Sequence, residues 1–467
     1  MPNYWLIPLV VAAALFMENM DGTVIATALP VMAADLNEDP VILKLAFTSY
    51  LLSLAVFIPV SGWVADRYGA RHVFRAAILV FVLASIWCGA ASSLPDLVAA
   101  RAAQGFGGAL MVPVGRLILL RSVPKNELVN ALAYLTIPAL IGPIIGPPLG
   151  GFIATYFHWR WIFWINVPVG ILGIVLATLY MPDIRGERLS RLDVKGFFLS
   201  GLGLAAMMFG LTTLGRSLLP EWVAPVLMLA GGVLLVLYWF HQKRTADPML
   251  DLKLFRIQTF RSGVLGGSLF RIGLGATPFL LPLMLQVGFG LDAFRSGLLT
   301  FAAALGAMAM KFTASRILRR YGFRAVLVVN AGICALSLMI NGLFTPSTPH
   351  WIILGVLLVG GFFRSLQFTA LNALSYADVA RPEMSQATAI ASVAQQLATS
   401  TGVALGALVL EIVQAWRGDE TLVAADFSIA FFVMALLAFA SIASHARLPK
   451  NAADEVAGRA PVKPSGE

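Results

Sequence analysis

Between residues 5 and 444 the chain repeats one pattern: an apolar run of about twenty residues, then a short loop that carries the charge. A helix of that length crosses the hydrocarbon core of a bilayer, about 30 Å thick. Charged residues make up only 12% of the chain, against roughly 25% in soluble domains, and mean hydropathy is +0.83. A water-soluble fold is excluded. The net charge of +9 does not form a basic face or tail, because Lys and Arg are dispersed between apolar runs, so nucleic acid is not an expected partner.

Charge, Pro and Gly boundaries give fourteen expected helices: 5–30, 43–63, 73–92, 96–116, 128–151, 160–180, 195–214, 222–240, 262–287, 294–314, 325–344, 350–373, 386–410 and 425–444. The first lacks a basic start and carries Glu18 and Asp21 where a cleavage site would need small residues, so it reads as a retained helix. On this count 25 basic residues fall in loops on one side and five on the other. Positive loops stay in the cytoplasm, which predicts an even number of spans with both termini cytoplasmic. Cys88 and Cys334 both lie in apolar stretches and read as packing residues, with no disulfide framework or cysteine metal site.

Arg67-Tyr68-Gly69-Ala70-Arg71 recurs as Arg320-Tyr321-Gly322-Phe323-Arg324, an offset of 253. A duplicated six-helix unit with two helices inserted between the copies accounts for that offset. Bundles at 1–185 and 246–446, an insert at 186–245 and a disordered cytoplasmic tail at 447–467 follow.

The loop Gly62-Trp-Val-Ala-Asp66-Arg67-Tyr-Gly69-Ala-Arg71 resembles the loop motif of the major facilitator superfamily. Arg101-Ala-Ala-Gln104-Gly105-Phe-Gly107 resembles a motif that the family links to proton coupling, and Gly142-Pro143-Ile-Ile-Gly146-Pro147-Pro148-Leu-Gly150-Gly151 resembles the motif of its antiporters. Asp21 to Pro30, with Trp159-Arg160-Trp161-Ile-Phe-Trp-Ile-Asn166-Val-Pro168, is similar to the fourteen-helix drug:proton antiporters (EmrB/QacA-like), nearest to their MdtD-like members. The resemblance covers about residues 5 to 445. It implies an all-α integral membrane protein of the major facilitator fold, two six-helix bundles plus two helices, in the bacterial inner membrane. Arg319 departs from the repeat, which would place Asp there.

Physically, Asp66 at a helix end can pair with Arg71 and with the positive N-terminus of a neighbouring helix, a conformational latch together with Gly62, Arg67 and Gly69. Gly142, Gly146 and Gly150, four apart, form one face for close helix packing, while Pro143 and Pro147 remove backbone donors. Ionisable residues inside the bilayer are functional candidates. Glu18 and Asp21 share a face of the first helix; Asp21 is expected to pair with Arg101, while Glu18, with no basic neighbour in its own half, is the expected proton carrier. In the second half Arg271 and Arg364, with Gln286, Gln367 and Asn372, would make a cationic substrate wall. The competing reading has each Arg satisfying carbonyls at a helix break.

No G-x-x-x-x-G-K-[ST] loop and no H-E-x-x-H pair occurs, which disfavours ATP hydrolysis and metalloprotease chemistry. The expected protein is no enzyme and needs no cofactor. Its partners are protons, membrane lipid and a small organic substrate, and the residues leave a periplasmic adaptor open. Export of amphipathic drugs is expected, export of an organic anion is the alternative, and a non-transporting sensor is the third class.

Overall fold

The computed structural model describes residues 6–38, 40–186, 191–213, 220, 222–418 and 422–459. All regular structure among them is helical. Twelve described helices are long and apolar enough to span a membrane, and a bent pair, Arg295–Lys311 with Ala314–Tyr321, would make thirteen. The expected span at 128–151 falls on a continuous helix, Leu128–Tyr156, part of whose side chains lie outside the described residues.

In chain order the helices are α1 (Leu6–Leu36), α2 (Pro40–Phe57), α3 (Ser61–Tyr68), α4 (Ala70–Ala90), α5 (Leu94–Ser122), α6 (Leu128–Tyr156), α7 (Trp161–Trp164), α8 (Asn166–Tyr180), α9 (Val194–Thr213) and α10 (Val223–Arg244). They continue as α11 (Gln258–Arg261), α12 (Gly267–Gly275), α13 (Thr277–Leu283), α14 (Ala293–Lys311), α15 (Ala314–Tyr321), α16 (Phe323–Gly342), α17 (His350–Tyr376), α18 (Met384–Arg417), α19 (Ala424–Ala440), α20 (Ile442–Ala446) and α21 (Asp454–Ala457). The expected helix at 262–287 is broken by π-helical turns at Ser262–Gly266 and Met284–Gly288. Both hold glycine, which weakens the regular ladder.

The chain divides into two compact units. The first comprises Met1–Val123, Tyr134–Leu252 and Ala380–Val393. In it α5 lies against α4, α2 and α1, and α8 closes on α4 and α1. The two helices expected as an insert, α9 and α10, pack on each other, and α9 packs on α2. Glycine makes these approaches possible, since a Cβ on Gly201 would stand 3.0 Å from the Val56 carbonyl oxygen. The antiporter-like face lies on α1: a Cβ on Gly142 would meet the Met20 nitrogen at 3.0 Å, and one on Gly146 would collide with Thr23. Gly150 is buried as well, whereas the side chains of Pro143, Pro147 and Pro148 and the surroundings of Gly151 lie outside the described residues.

The second unit comprises Pro124–Ala133, Lys253–Val379 and Ala394–Glu467. Here α14 packs on α17, α16 on α17 and α19, and α12 on α19. Gly402 and Gly406 of α18 seat against Ile272, Gly275 and Ala276, so close glycine packing recurs in this unit. The tail differs from the expected disorder: residues 447–459 carry α21, with Leu448, Val456 and Ala457 buried and Lys125 Nζ 3.1 Å from Glu455 Oε2. Enough apolar side chains punctuate this stretch to pack it down despite its charge.

Candidate functional site

Five helices of the first unit, α1, α2, α4, α5 and α8, bring a buried polar cluster together. Arg101, on α5, donates from Nη1 to Asp21 Oδ2 on α1 at 2.6 Å, and both side chains are at most 1% exposed. The expected pair is thus present. The same nitrogen donates to Gln104 Oε1 one turn along α5. Gln104 Nε2 gives 2.9 Å to Asp21 Oδ1 and 2.8 Å to Ser85 Oγ on α4. Asn166 Nδ2, at the start of α8, reaches Asp21 Oδ1 at 3.0 Å. The guanidinium carbon lies 4.5 Å from the Tyr50 ring centroid, and Arg101 Nε donates to the Ala46 carbonyl at 3.4 Å. Both Asp21 oxygens are therefore occupied, and its charge is countered inside a buried helix junction. Gln104 and Asn166 stood in the recognised motifs, but only the fold shows that both converge on Asp21.

Glu18 lies one turn away. Its Oε2 is buried with no hydrogen-bond partner among the described residues. Contrary to the sequence expectation it has a basic neighbour, since Arg116 stands within electrostatic reach, as do Tyr50 and Asp21. The cause is helix length: α5 runs to Ser122, so Arg116 is a buried helical residue and not the start of a loop.

The loop motif is assembled differently from expectation. Asp66 pairs with Arg121 Nη1 at 2.9 Å, at the end of α5, and accepts from the Ser385 hydroxyl in the first turn of α18. Arg71 turns instead to the Met181 carbonyl at 3.4 Å, and Arg67 is exposed. A side chain at Gly62 would stand 2.7 Å from the Ser385 carbonyl oxygen, and Gly69 has φ +90°, a conformation that glycine tolerates. At the start of α18 Asp66 meets a side-chain hydroxyl, and Arg121 stands where Arg71 was expected. At the other end of α1, Asp35 accepts from Trp159 Nε1 at 2.9 Å and Arg160 Nη1 at 2.8 Å. The indole donor first, and then the guanidinium, hold its carboxyl below the usual carboxylate range.

In the second unit two of the five expected wall residues share a hydrogen bond among the described residues. Arg271 Nη2 donates to Asn372 Oδ1 at 3.0 Å. Gln367 is fully buried and spent on structure, accepting from Asn330 Nδ2 at 2.9 Å and donating to the Leu327 carbonyl at 3.1 Å. Gln286 is exposed on the second π-helical turn. Arg364 has no hydrogen-bond or ion-pair partner among the described residues and lies near Cys334. A single sequence does not fix which face of a wholly apolar helix turns inward. Lys311, inside the expected span at 294–314 but not singled out there, is 8% exposed and donates to Thr369 at 2.8 Å.

The family model described as Major Facilitator Superfamily matches residues 11–399 and 263–465. The chain belongs to the Major Facilitator Superfamily. Within it, the chain is 39% identical over 404 residues to a putative multidrug resistance protein MdtD of Pectobacterium atrosepticum, 86% of each protein. It is 36% identical over 448 residues to a probable transport protein HsrA of Haemophilus influenzae, 96% of each. Among solved structures, the human organic anion transporter MFSD10 (TETRAN) has a TM-score of 0.68 at 13% identity, covering 95% of this chain and 100% of that one. The proton:xylose symporter XylE has a TM-score of 0.65 at 13% identity, covering 94% of each chain. This superfamily member is therefore a multi-pass membrane transporter of small molecules, similar to MdtD proteins, and not an enzyme.

Proposed function

We propose that this transporter exports small amphipathic organic compounds from the bacterial cytoplasm across the inner membrane in exchange for protons, by alternating access. The observation that carries the reading is the buried Asp21–Arg101–Gln104–Asn166 cluster beside Glu18, whose Oε2 has no hydrogen-bond partner among the described residues. A charged pair is costly to keep in a membrane interior, and an acid one turn away can take and give a proton without breaking it. The MdtD relatives bear the name of multidrug resistance proteins. In this reading α6 is the fourteenth span with both termini cytoplasmic, the units at 1–185 and 246–446 are the moving bundles, and α9 and α10 are additions. Asp66, Arg121 and Ser385, with Gly62 and Gly69, are the latch. In inverted vesicles, an imposed proton gradient is expected to drive uptake of a lipophilic cation such as ethidium and, reciprocally, the cation to dissipate the gradient. Flux of every tested organic ion that ignores the gradient overturns proton exchange.

A second reading, export of an organic anion, is favoured by Arg364, a guanidinium without a described partner, and by Arg271 held to a neutral amide. A carboxylate would offset the desolvation of such a group. On this reading Arg271→Ala weakens binding of an aromatic carboxylate by about 2 kcal/mol, roughly thirtyfold. Binding of an amine of equal size should be unchanged. Arg271→Lys rescues only in part, because a point charge lacks the planar fork. Titrations of purified protein with both ligands decide, and equal losses for the two rule out a cationic wall.

A further inference from the structure

The α14–α17 contact is a seam of small residues. A Cβ on Gly306 would collide with the Leu358 main chain, and one on Gly361 with that of Ala303. Lys311, the last residue of α14, closes this seam at 8% exposure, and its ammonium donates to the Thr369 hydroxyl on α17. Ionisable residues on neighbouring elements are His350, Arg364 and Tyr376 of α17 and Arg316, Arg319, Arg320 and Tyr321 of the following α15. The adjoining α13 and the π-helical turn after it have none. None of these groups is a carboxylate, and none is a hydrogen-bond partner of Lys311 among the described residues. Immediately beyond Lys311 the helix breaks, and α15 departs at 61° from α14.

A buried ammonium with one hydroxyl acceptor and no counter-ion costs several kcal/mol. Lysine, unlike arginine, can escape that cost by releasing its proton; otherwise its flexible stem must carry the charge out of the seam, and the bend beside it gives the room. We propose that Lys311 is a second proton-binding residue of this transporter, remote in sequence from Glu18, whose neutral amine keeps α14 seated on α17 and whose protonation releases the α14–α15 bend. Its role in transport rests on the proton-exchange reading, whereas the test reads the bend itself.

Hydrogen–deuterium exchange of the full-length protein in detergent, followed on peptides covering the bend and corrected for intrinsic rates, is the measurement. The wild type is expected to exchange there about fivefold faster near pH 6 than near pH 9. Lys311→Met should be slow at both, and Lys311→Arg, charged throughout, fast at both. Glu18→Gln should keep the wild-type contrast. A wild type without contrast, a contrast that survives in Lys311→Met, or one that vanishes in Glu18→Gln overturns the proposal. Should the methionine variant fail to fold, slow exchange near pH 6 in Lys311→Arg does so equally.

Discussion

Arg101→Ala is expected to cost about 3–5 kcal/mol of stability, the range for a buried ion pair that loses one partner. The reason is what stays behind. Asp21 would keep the Gln104 and Asn166 amides, at 2.9 and 3.0 Å, but lose its counter-charge at 2.6 Å inside a buried junction. Ala also removes the cation over the Tyr50 ring and the donor to the Ala46 carbonyl. Asp21→Asn should cost less, since the amide keeps the shape and one oxygen for Gln104 or Asn166, yet it strands Arg101. The double variant Asp21→Asn/Arg101→Leu carries no buried charge and should recover at least half of the loss. Denaturant titration of all three variants in mixed micelles checks this. A loss below about 1 kcal/mol for Arg101→Ala would mean that water or lipid headgroups reach the pair.

Asp21 and Arg101 were legible in the sequence because each is a charge inside an apolar run, and opposite charges at matching depth on antiparallel helices have few other partners. Arg121 was not, because nothing local distinguishes a basic residue at the buried end of a long helix from one in a loop; α5 continues six residues past its expected end, which moved Arg116 inward and put Arg121 on Asp66. Lys311 was hidden by the same logic at the end of α14. Gln367 shows the opposite failure. An amide in an apolar helix looks like a ligand contact, but Asn330 on α16 uses it to tie two helices, and pairing between helices 37 residues apart in sequence leaves no periodic trace. The glycine spacing of α6 was readable because a face of small residues is itself a pattern, and only the identity of its partner, α1, needed the fold.

Glu18→Gln is expected to abolish proton-driven transport while leaving substrate binding nearly unchanged. The substitution keeps the volume and polar outline of the side chain, so its packing around Tyr50 and Arg116 persists, and it removes the one function an amide cannot supply, reversible protonation. Its neighbours cannot replace it: both oxygens of Asp21 are engaged by Arg101, Gln104 and Asn166. If Glu18 is the site where substrate and proton compete, the variant should still exchange substrate for substrate across vesicles with no gradient, since that half-reaction needs no proton. Uphill uptake driven by an imposed pH gradient should fall to the level of empty vesicles. The two assays on one preparation separate the outcomes. Loss of both would indicate a structural role for Glu18 in its packing beside Tyr50 and Arg116. Full gradient-driven uptake by Glu18→Gln would remove this residue from the mechanism and move the search for the proton carrier to the remaining buried titratable groups.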